Sequence, residues 1–373
     1  ERAVKQMDLM KQSTAYALLK KKYREFAAPT VRVLVEGSDL GERYHAALSN
    51  VSVELTSEYP ASGCSFDLLG EYRPPDSDFD SKGALRLLEL GAKVEVKLGY
   101  IATETVFYGL ITGLDYRFDP EEAPVVHVEC MDAKCLLMKT QRLEIFREKR
   151  IDRAVQALLG EQPVGGYLKG RQVDPVPGEI KMLAAGMETS YDFLVRQARY
   201  AGCEFFLLAG KAYFRKRPAA GQPVMTVSPG EALLSAGLSL RGAPLVKKVT
   251  VVGIDPQTDR EFSGSAQSRG KFGKGAAPSR MLSGTERVYL DAQAESASQA
   301  QARAKALLGS IEQGFGTLEC RCIGLPELVP GRAVRVKGLS GRMDGSFYVT
   351  AVRHAFDETD GYTTTFEARI NSL

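Results

Sequence analysis

Histidine is scarce in this chain, three among 373 residues, and cysteine is nearly so, at six. Cysteines this few and this irregularly spaced exclude a disulfide scaffold and predict reduced thiols. No apolar run approaches the roughly 20 residues that cross a bilayer, and the Lys- and Gln-rich N-terminus has no hydrophobic signal core. These absences predict a soluble chain made in the cytosol, with no transmembrane segment. An excess of one charge is missing too. The 49 basic and 46 acidic residues leave a formal +3, which provides no ground for a nucleic-acid partner.

Chemistry-bearing motifs are equally sparse. No Ser has the Gly-x-Ser-x-Gly setting of a nucleophile elbow. Of the histidines His45, His127 and His354, the last occupies an ordinary position on a pleated strand and reads as structural. Cys320 and Cys322 would share one strand face, and Cys130 with Cys135 lies near His127, but zinc knuckles are tighter and come in pairs. Small core hydrophobes are the better reading of these cysteines. Gly264 to Lys271 superficially resembles a phosphate loop, yet its glycine spacing is one residue too long and Phe272 stands where a magnesium-binding hydroxyl is needed. Carboxylates are numerous, and spacing alone places no two of them across a glycosidic bond. The expectation is therefore no catalytic, cofactor-binding or metal-ligating residue, and no enzyme.

What is present is a repeat. Gly91 to Lys97 and Gly331 to Lys337 both read Gly-x-x-Val-x-Val-Lys, at an offset of 240 (331 less 91). Ile111 to Asp119 lies over Val349 to Asp357, and Val128-Glu129 over Phe366-Glu367, at an offset of 238 (349 less 111). A two-residue difference in one turn explains the change. The chain is expected to build one small β-unit twice, which points to a scaffold needing quasi-equivalent parts.

The length predicts two to four domains. Residues 1–26 read as a charged, loosely periodic helix ended by Pro29, a flexible or docking arm whose Lys20-Lys21-Lys22 run forms a solvated face. From Val31 to about Leu137, period-two alternation in Val31–Val35, Val51–Leu55, Cys64–Leu68 and Val94–Leu98 predicts half-buried strands of a barrel or small sandwich. Helical spacing follows at Ile151–Leu159 and from Thr189-Ser190 to Gly202, then strands at Cys203–Leu208 and Lys211–Arg215. Strands return at Val246–Gly253. A Gly- and Ser-rich basic loop, Ser263 to Gly284, then precedes an Ala-rich helix striped by Ala297, Ala300, Ala304, Leu307, Leu308 and Ile311. The expected class is α+β, mainly β: an N-terminal helical arm (1–30), a first β-barrel tube domain (31–140), an α+β insert (141–243), and a second, similar barrel (244–373) carrying the mobile loop 263–284 and a helix over 291–313.

The C-terminal run Gly324-Leu325-Pro326-Glu327-Leu328-Val329-Pro330-Gly331, continuing through Asp344-Gly345-Ser346-Phe347-Tyr348-Val349 to Gly361-Tyr362-Thr363, resembles the end of the phage late-control protein D family. These are baseplate hub proteins related to the head of VgrG. Thr189 to Phe206 is similar to a helix–strand segment of the same family, and the resemblance runs from about Val31 to the C-terminus. It implies a structural hub of a contractile phage tail, phage-tail-like bacteriocin or injection particle. In that picture a homotrimeric ring adapts a separate trimeric spike protein to a hexameric tube or tube-initiator protein, among other baseplate proteins. Assembly would take place in the bacterial cytoplasm, and the final location would be the baseplate of a virion or phage-tail-like particle. The resemblance carries over no catalytic or cofactor residues. Unlike VgrG-type proteins, no oligosaccharide-binding-like domain or β-helical spike follows before Leu373, so the spike is expected on another polypeptide. Two other classes stay open: a tail-associated hydrolase with β-barrel recognition domains, and a monomeric carbohydrate- or protein-binding module.

Overall fold

In the computed structural model the described residues are 8–70, 83–119, 121–218, 222–255, 258–269, 279–339, 341 and 343–370. The described part of the N-terminal arm contains α1 (Tyr16–Lys22). The first copy of the repeat follows as β1 (Thr30–Val35), β2 (Ser38–Asp39), α2 (Leu40–Tyr44), β3 (Ala47–Thr56), β4 (Gly63–Leu69), β5 (Lys93–Gly99), β6 (Thr103–Arg117) and β7 (Val125–Met131). Successive side chains on a strand point to opposite faces, so alternating sequence becomes alternating burial. Cys64, Phe66 and Leu68 on β4 and Val94, Val96 and Leu98 on β5 are all inside.

Between the copies lie α3 (Lys134–Lys139), β8 (Gln141–Ile145), α4 (Ile151–Leu158), β9 (Gly170–Val173), β10 (Ala184–Thr189), α5 (Ser190–Ala201), β11 (Cys203–Leu208) and β12 (Lys211–Lys216), packed around their own core of Phe146, Leu158, Phe193, Phe205 and Phe214. Helix α5 starts and stops where its sequence predicts. The Thr189 side chain accepts from the Asp192 backbone N–H, and Gly202 takes the left-handed cap at φ 65°.

The second copy is β13 (Pro223–Val227), β14 (Leu233–Leu240), β18 (Gly316–Ile323), β19 (Ala333–Val336), β20 (Gly345–Asp357) and β21 (Gly361–Ile370). Strand order is β1-β5-β6-β7-β4-β3 in the first copy and β13-β19-β20-β21-β18-β14 in the second. The registers coincide as well. Val94 faces Gly109 as Val334 faces Phe347, and Leu114 faces Val128 as Val352 faces Phe366. Even the irregularity recurs: pairing shifts between Ile111 and Gly113 and again between Val349 and Ala351, each shift skipping a threonine. Thr112 Oγ1 donates to the Glu129 carbonyl at 3.2 Å, and Thr350 Oγ1 to the Glu367 carbonyl at 3.3 Å. The glycines opening the motif, Gly91 and Gly331, share a positive φ, 92° and 81°, that only glycine adopts without strain. Val94, Val128, Val334, Val352 and Phe366 are buried as expected, while Leu114 is half-buried. One difference is orientation at the end: β1 runs antiparallel to β5, whereas β13 runs parallel to β19.

The mainly β class expected from sequence holds. The two copies are joined edge to edge, because β3 pairs with β20, and among the described residues one 13-stranded sheet runs through both. Strand pairing also draws residues 223–240 into the second copy, ahead of the expected start at 244. Residues just after 244 go elsewhere. They form β15 (Lys248–Asp255), β16 (Arg260–Gln267) and β17 (Glu286–Leu290), a separate sheet that, with α6 (Ser279–Leu282) between its last two strands, is covered by α7 (Ala297–Gln313). Period-two alternation reports that a strand has an inside, not which sheet it joins.

Two expectations change in this insert. Ser263 to Gln267 of the expected mobile loop belong to β16, paired with β15, while residues 270–278 lie outside the described residues. The helix expected over 291–313 begins at Ala297, after a Ser296 cap that accepts from the Gln299 N–H. Gly264 serves packing instead of phosphate: a Cβ there would stand 2.1 Å from the Gln301 backbone nitrogen, so its absence lets β16 touch α7. Ala300 and Ala304 on the facing side of the helix are fully buried.

Candidate functional site

The two copies meet along one backbone seam. It is the β3–β20 ladder, from Val51 opposite Phe356 to Thr56 opposite Ala351. The second-copy bulge turns the Thr350 carbonyl outward, and the Ser57 N–H beyond β3 takes it at 2.9 Å. A groove of about 430 Å³ along the seam has Glu54, Thr56, Arg353 and Glu367 among its lining.

The arm also spans the two copies. Leu19 and Tyr23 are buried, and Lys22 Nζ lies 2.8 Å from Glu104 of β6 and 2.9 Å from Glu327, just ahead of β19. One ammonium thus holds a carboxylate from each copy. Tyr23 donates its hydroxyl to Glu327 at 2.6 Å, and Tyr100 donates to the Gly324 carbonyl at 3.0 Å. The Tyr23, Phe26 and Tyr362 rings all pack within 6 Å of Tyr100, ring centre to ring centre. Arg332 fastens the start of the arm through the carbonyls of Leu9 at 2.5 Å and Gln12 at 3.0 Å. The arm is docked in its described part, which corrects the flexible alternative, and Lys22 is an ion-pair partner where a solvated face was expected. Lys20 keeps to the surface beside Glu25.

Burial alone would lower the Lys22 pKa, but Glu327 and Glu104 overcome it and hold the ammonium above its ordinary value. Burial, then Glu327, push the Tyr23 phenol far up and keep it neutral. Buried ion pairs add little net stability, because desolvation offsets attraction; their geometry instead specifies one arrangement.

A second clamp ties the central segment to the second copy. Tyr348 donates to Glu204 at 2.6 Å, and Arg215 donates to the Gly331 carbonyl at 2.6 Å. A Cβ on Gly331 would meet the Phe206 ring at 2.8 Å and Arg215 at 2.9 Å, so the close approach as well as the turn requires glycine there.

The residues singled out from sequence are not brought together. His354 is fully buried, with Nδ1 3.0 Å from the Thr364 hydroxyl, and burial pushes its pKa down to about 3. Its counterpart in the repeat, Tyr116, is exposed. His127 meets Asp67 at 2.6 Å, and His45 caps α2. All six cysteines are free and buried, with Cys64 opposite Cys130 across two strands. Among the described residues no three His, Cys, Asp or Glu side chains are grouped as a metal site. No described helix is long and apolar enough to cross a membrane. Sequence reasoning missed Lys22, Glu104, Glu327, Glu204 and Arg215; a lysine run and scattered carboxylates carry no local sign of partners so far along the chain.

This architecture recurs in solved structures. The tail protein from Neisseria meningitidis MC58 superposes at TM-score 0.66 with 15% identity, covering 92% of this chain and 96% of that one. The 43 kDa tail protein of prophage MuSo2 from Shewanella oneidensis gives 0.68 with 13% identity, covering 91% and 98%. An E. coli component of the type VI secretion system, described as structurally similar to T4 bacteriophage tail proteins gp27 and gp5, gives 0.55 with 12% identity, covering 90% and 76%. The fold is that of phage-tail and type VI secretion proteins. Residues 26–358 match the family described as the Alg8 N-terminal domain, and the chain belongs to that family. No curated protein matches it by sequence.

Proposed function

We propose that this chain is a structural baseplate hub of a contractile phage tail or phage-tail-like particle, as the resemblance to the late-control protein D family implies. Three copies form a ring that adapts a separate threefold spike to a sixfold tube, without a catalytic step. The observation that carries this reading is the duplicated six-strand unit, matched in order, register and bulge. Three chains with two such units give six quasi-equivalent positions around one axis, and heterologous contacts close into a ring when the rotation permits. Likeness in fold to tail proteins supports the same reading. We assign the ring modules to residues 30–131 and to 223–240 with 316–370. The central segment and the β15–β17 insert then form the periphery, facing other baseplate proteins.

The arm's role follows from its position. By holding Glu104 of one module and Glu327 of the other, it sets the angle between modules, which is what a sixfold ring built from threefold copies needs. Native mass measurement, alone and with a candidate trimeric spike protein from the same particle, tests the proposal. A trimer in at least the second condition is expected, with imaging that places six modules around a central opening. A monomer or dimer in both conditions refutes it.

A further inference from the structure

A cavity of about 700 Å³ opens where four parts of the chain meet: the loop after β3 (Tyr59), α5 (Arg199), the end of β12 (Arg217) and α7 (Lys305). Its volume is that of a small-molecule site. The charged residues lining it are Arg199, Arg217, Arg303 and Lys305 against Glu58 and Glu204, four positive less two negative, a net of +2.

Partner by partner, the imbalance is greater than the sum. Arg303 is answered by Asp291 at 2.9 Å, and Glu58 is drawn to Arg369 at 3.8 Å. Glu204 is occupied by the Tyr348 hydroxyl at 2.6 Å and by Arg215 at 3.6 Å. Arg217 is left 4.0 Å from Glu204, beyond hydrogen-bond reach, and its Nε and Nη2 are buried with no hydrogen-bond partner. Its guanidinium lies 3.8 Å above the Tyr348 ring, which holds it in place. Arg199 is held 4.9 Å above the Tyr59 ring. Among the described residues neither Arg199 nor Lys305 pairs with a carboxylate. Three under-neutralised cations from three different elements therefore face one cavity, two of them braced by aromatic rings.

Buried guanidinium N–H groups without acceptors are costly, and native structures tolerate them chiefly where an ion or water completes the set. Rigid guanidinium forks match carboxylate and phosphate oxygens. We propose that this cavity binds a small polyanion carrying two or more carboxylate or phosphate groups, held by Arg217, Arg199 and Lys305. Such a ligand would bridge the central segment and the insert, stiffening the periphery. The inference stands independently of the hub reading.

Calorimetric titration of the full chain at constant ionic strength with pyrophosphate, and separately with citrate, tests it. Saturable one-to-one binding of at least one probe is expected. Pyrophosphate alone points to phosphate ligands and citrate alone to carboxylates. Arg217→Gln, Arg199→Gln and Lys305→Gln should each weaken binding about tenfold, while Arg43→Gln, which lines no part of the cavity, leaves it unchanged. Arg199 and Lys305 replacements keep the test valid if the Arg217 variant misfolds. Absence of saturable heat with both probes, or affinity unchanged from the parent's in both the Arg199→Gln and Lys305→Gln variants, overturns the proposal.

Discussion

Replacing Lys22 by Ala would leave the Glu104 and Glu327 carboxylates without the ammonium that now lies 2.8 and 2.9 Å from them. Both carboxylates are almost wholly buried, at 4% and 0% side-chain exposure, while Lys22 itself keeps 25%. Removing one partner of a buried pair costs roughly 3–5 kcal/mol, mostly from the uncompensated charge left behind. Partial access of water at Lys22 places the expected cost near the lower end, about 3 kcal/mol. Because tenfold in an equilibrium corresponds to about 1.4 kcal/mol, local detachment of the arm should become roughly 100-fold more frequent. Amide exchange over Leu19 to Tyr23 reads this directly, and limited proteolysis of the arm follows it. Neutralising the whole cluster with Lys22→Met, Glu104→Gln and Glu327→Gln should recover most of the protection, since no bare charge remains. Unchanged exchange in Lys22→Ala would refute the argument, because it would mean that the two carboxylates do not depend on the ammonium.

Acid should weaken the second copy through His354, whose pKa is depressed by burial to about 3 from an ordinary value of 6.5. A depressed pKa contributes stability that is complete above 6.5 and lost as pH falls toward 3. Denaturation midpoints should therefore drop across that window less steeply in His354→Gln than in the parent, and identical slopes would count against it. Alkali should act at the arm instead: the raised pKa values of Lys22 and Tyr23 contribute stability that is full below about pH 10 and lost above it. Exchange at the arm should accelerate there, and a Tyr23→Phe variant should respond less. Gly264→Ala should destabilise the insert by about 1–3 kcal/mol, because its Cβ would collide with the α7 backbone. A midpoint equal to the parent's would show that α7 can move away at no cost.

The sequence by itself determined what depends on local periodicity and backbone chemistry. The repeated Gly-x-x-Val-x-Val-Lys motif foretold equivalent strands because the turn before β5 and β19 needs a positive φ and the following valines need an inside. The same alignment placed Thr112 over Thr350, the positions at which the strand pairing shows a bulge in each copy. Thr189, Gly202 and the alanine stripe of α7 were legible for the same reason: caps and faces are written within a few residues. Only the tertiary structure decided which edges meet. The β3–β20 seam is made of backbone hydrogen bonds, which carry no residue code, and β13 and β14 joined the second copy across an insert whose strands alternate in the same way. Lys22 found carboxylates 82 and 305 positions away, and Arg217 came to face Arg199 and Lys305 across a cavity. Charge interactions act through space, so their partners were chosen by the folded chain and left no mark in the neighbouring sequence.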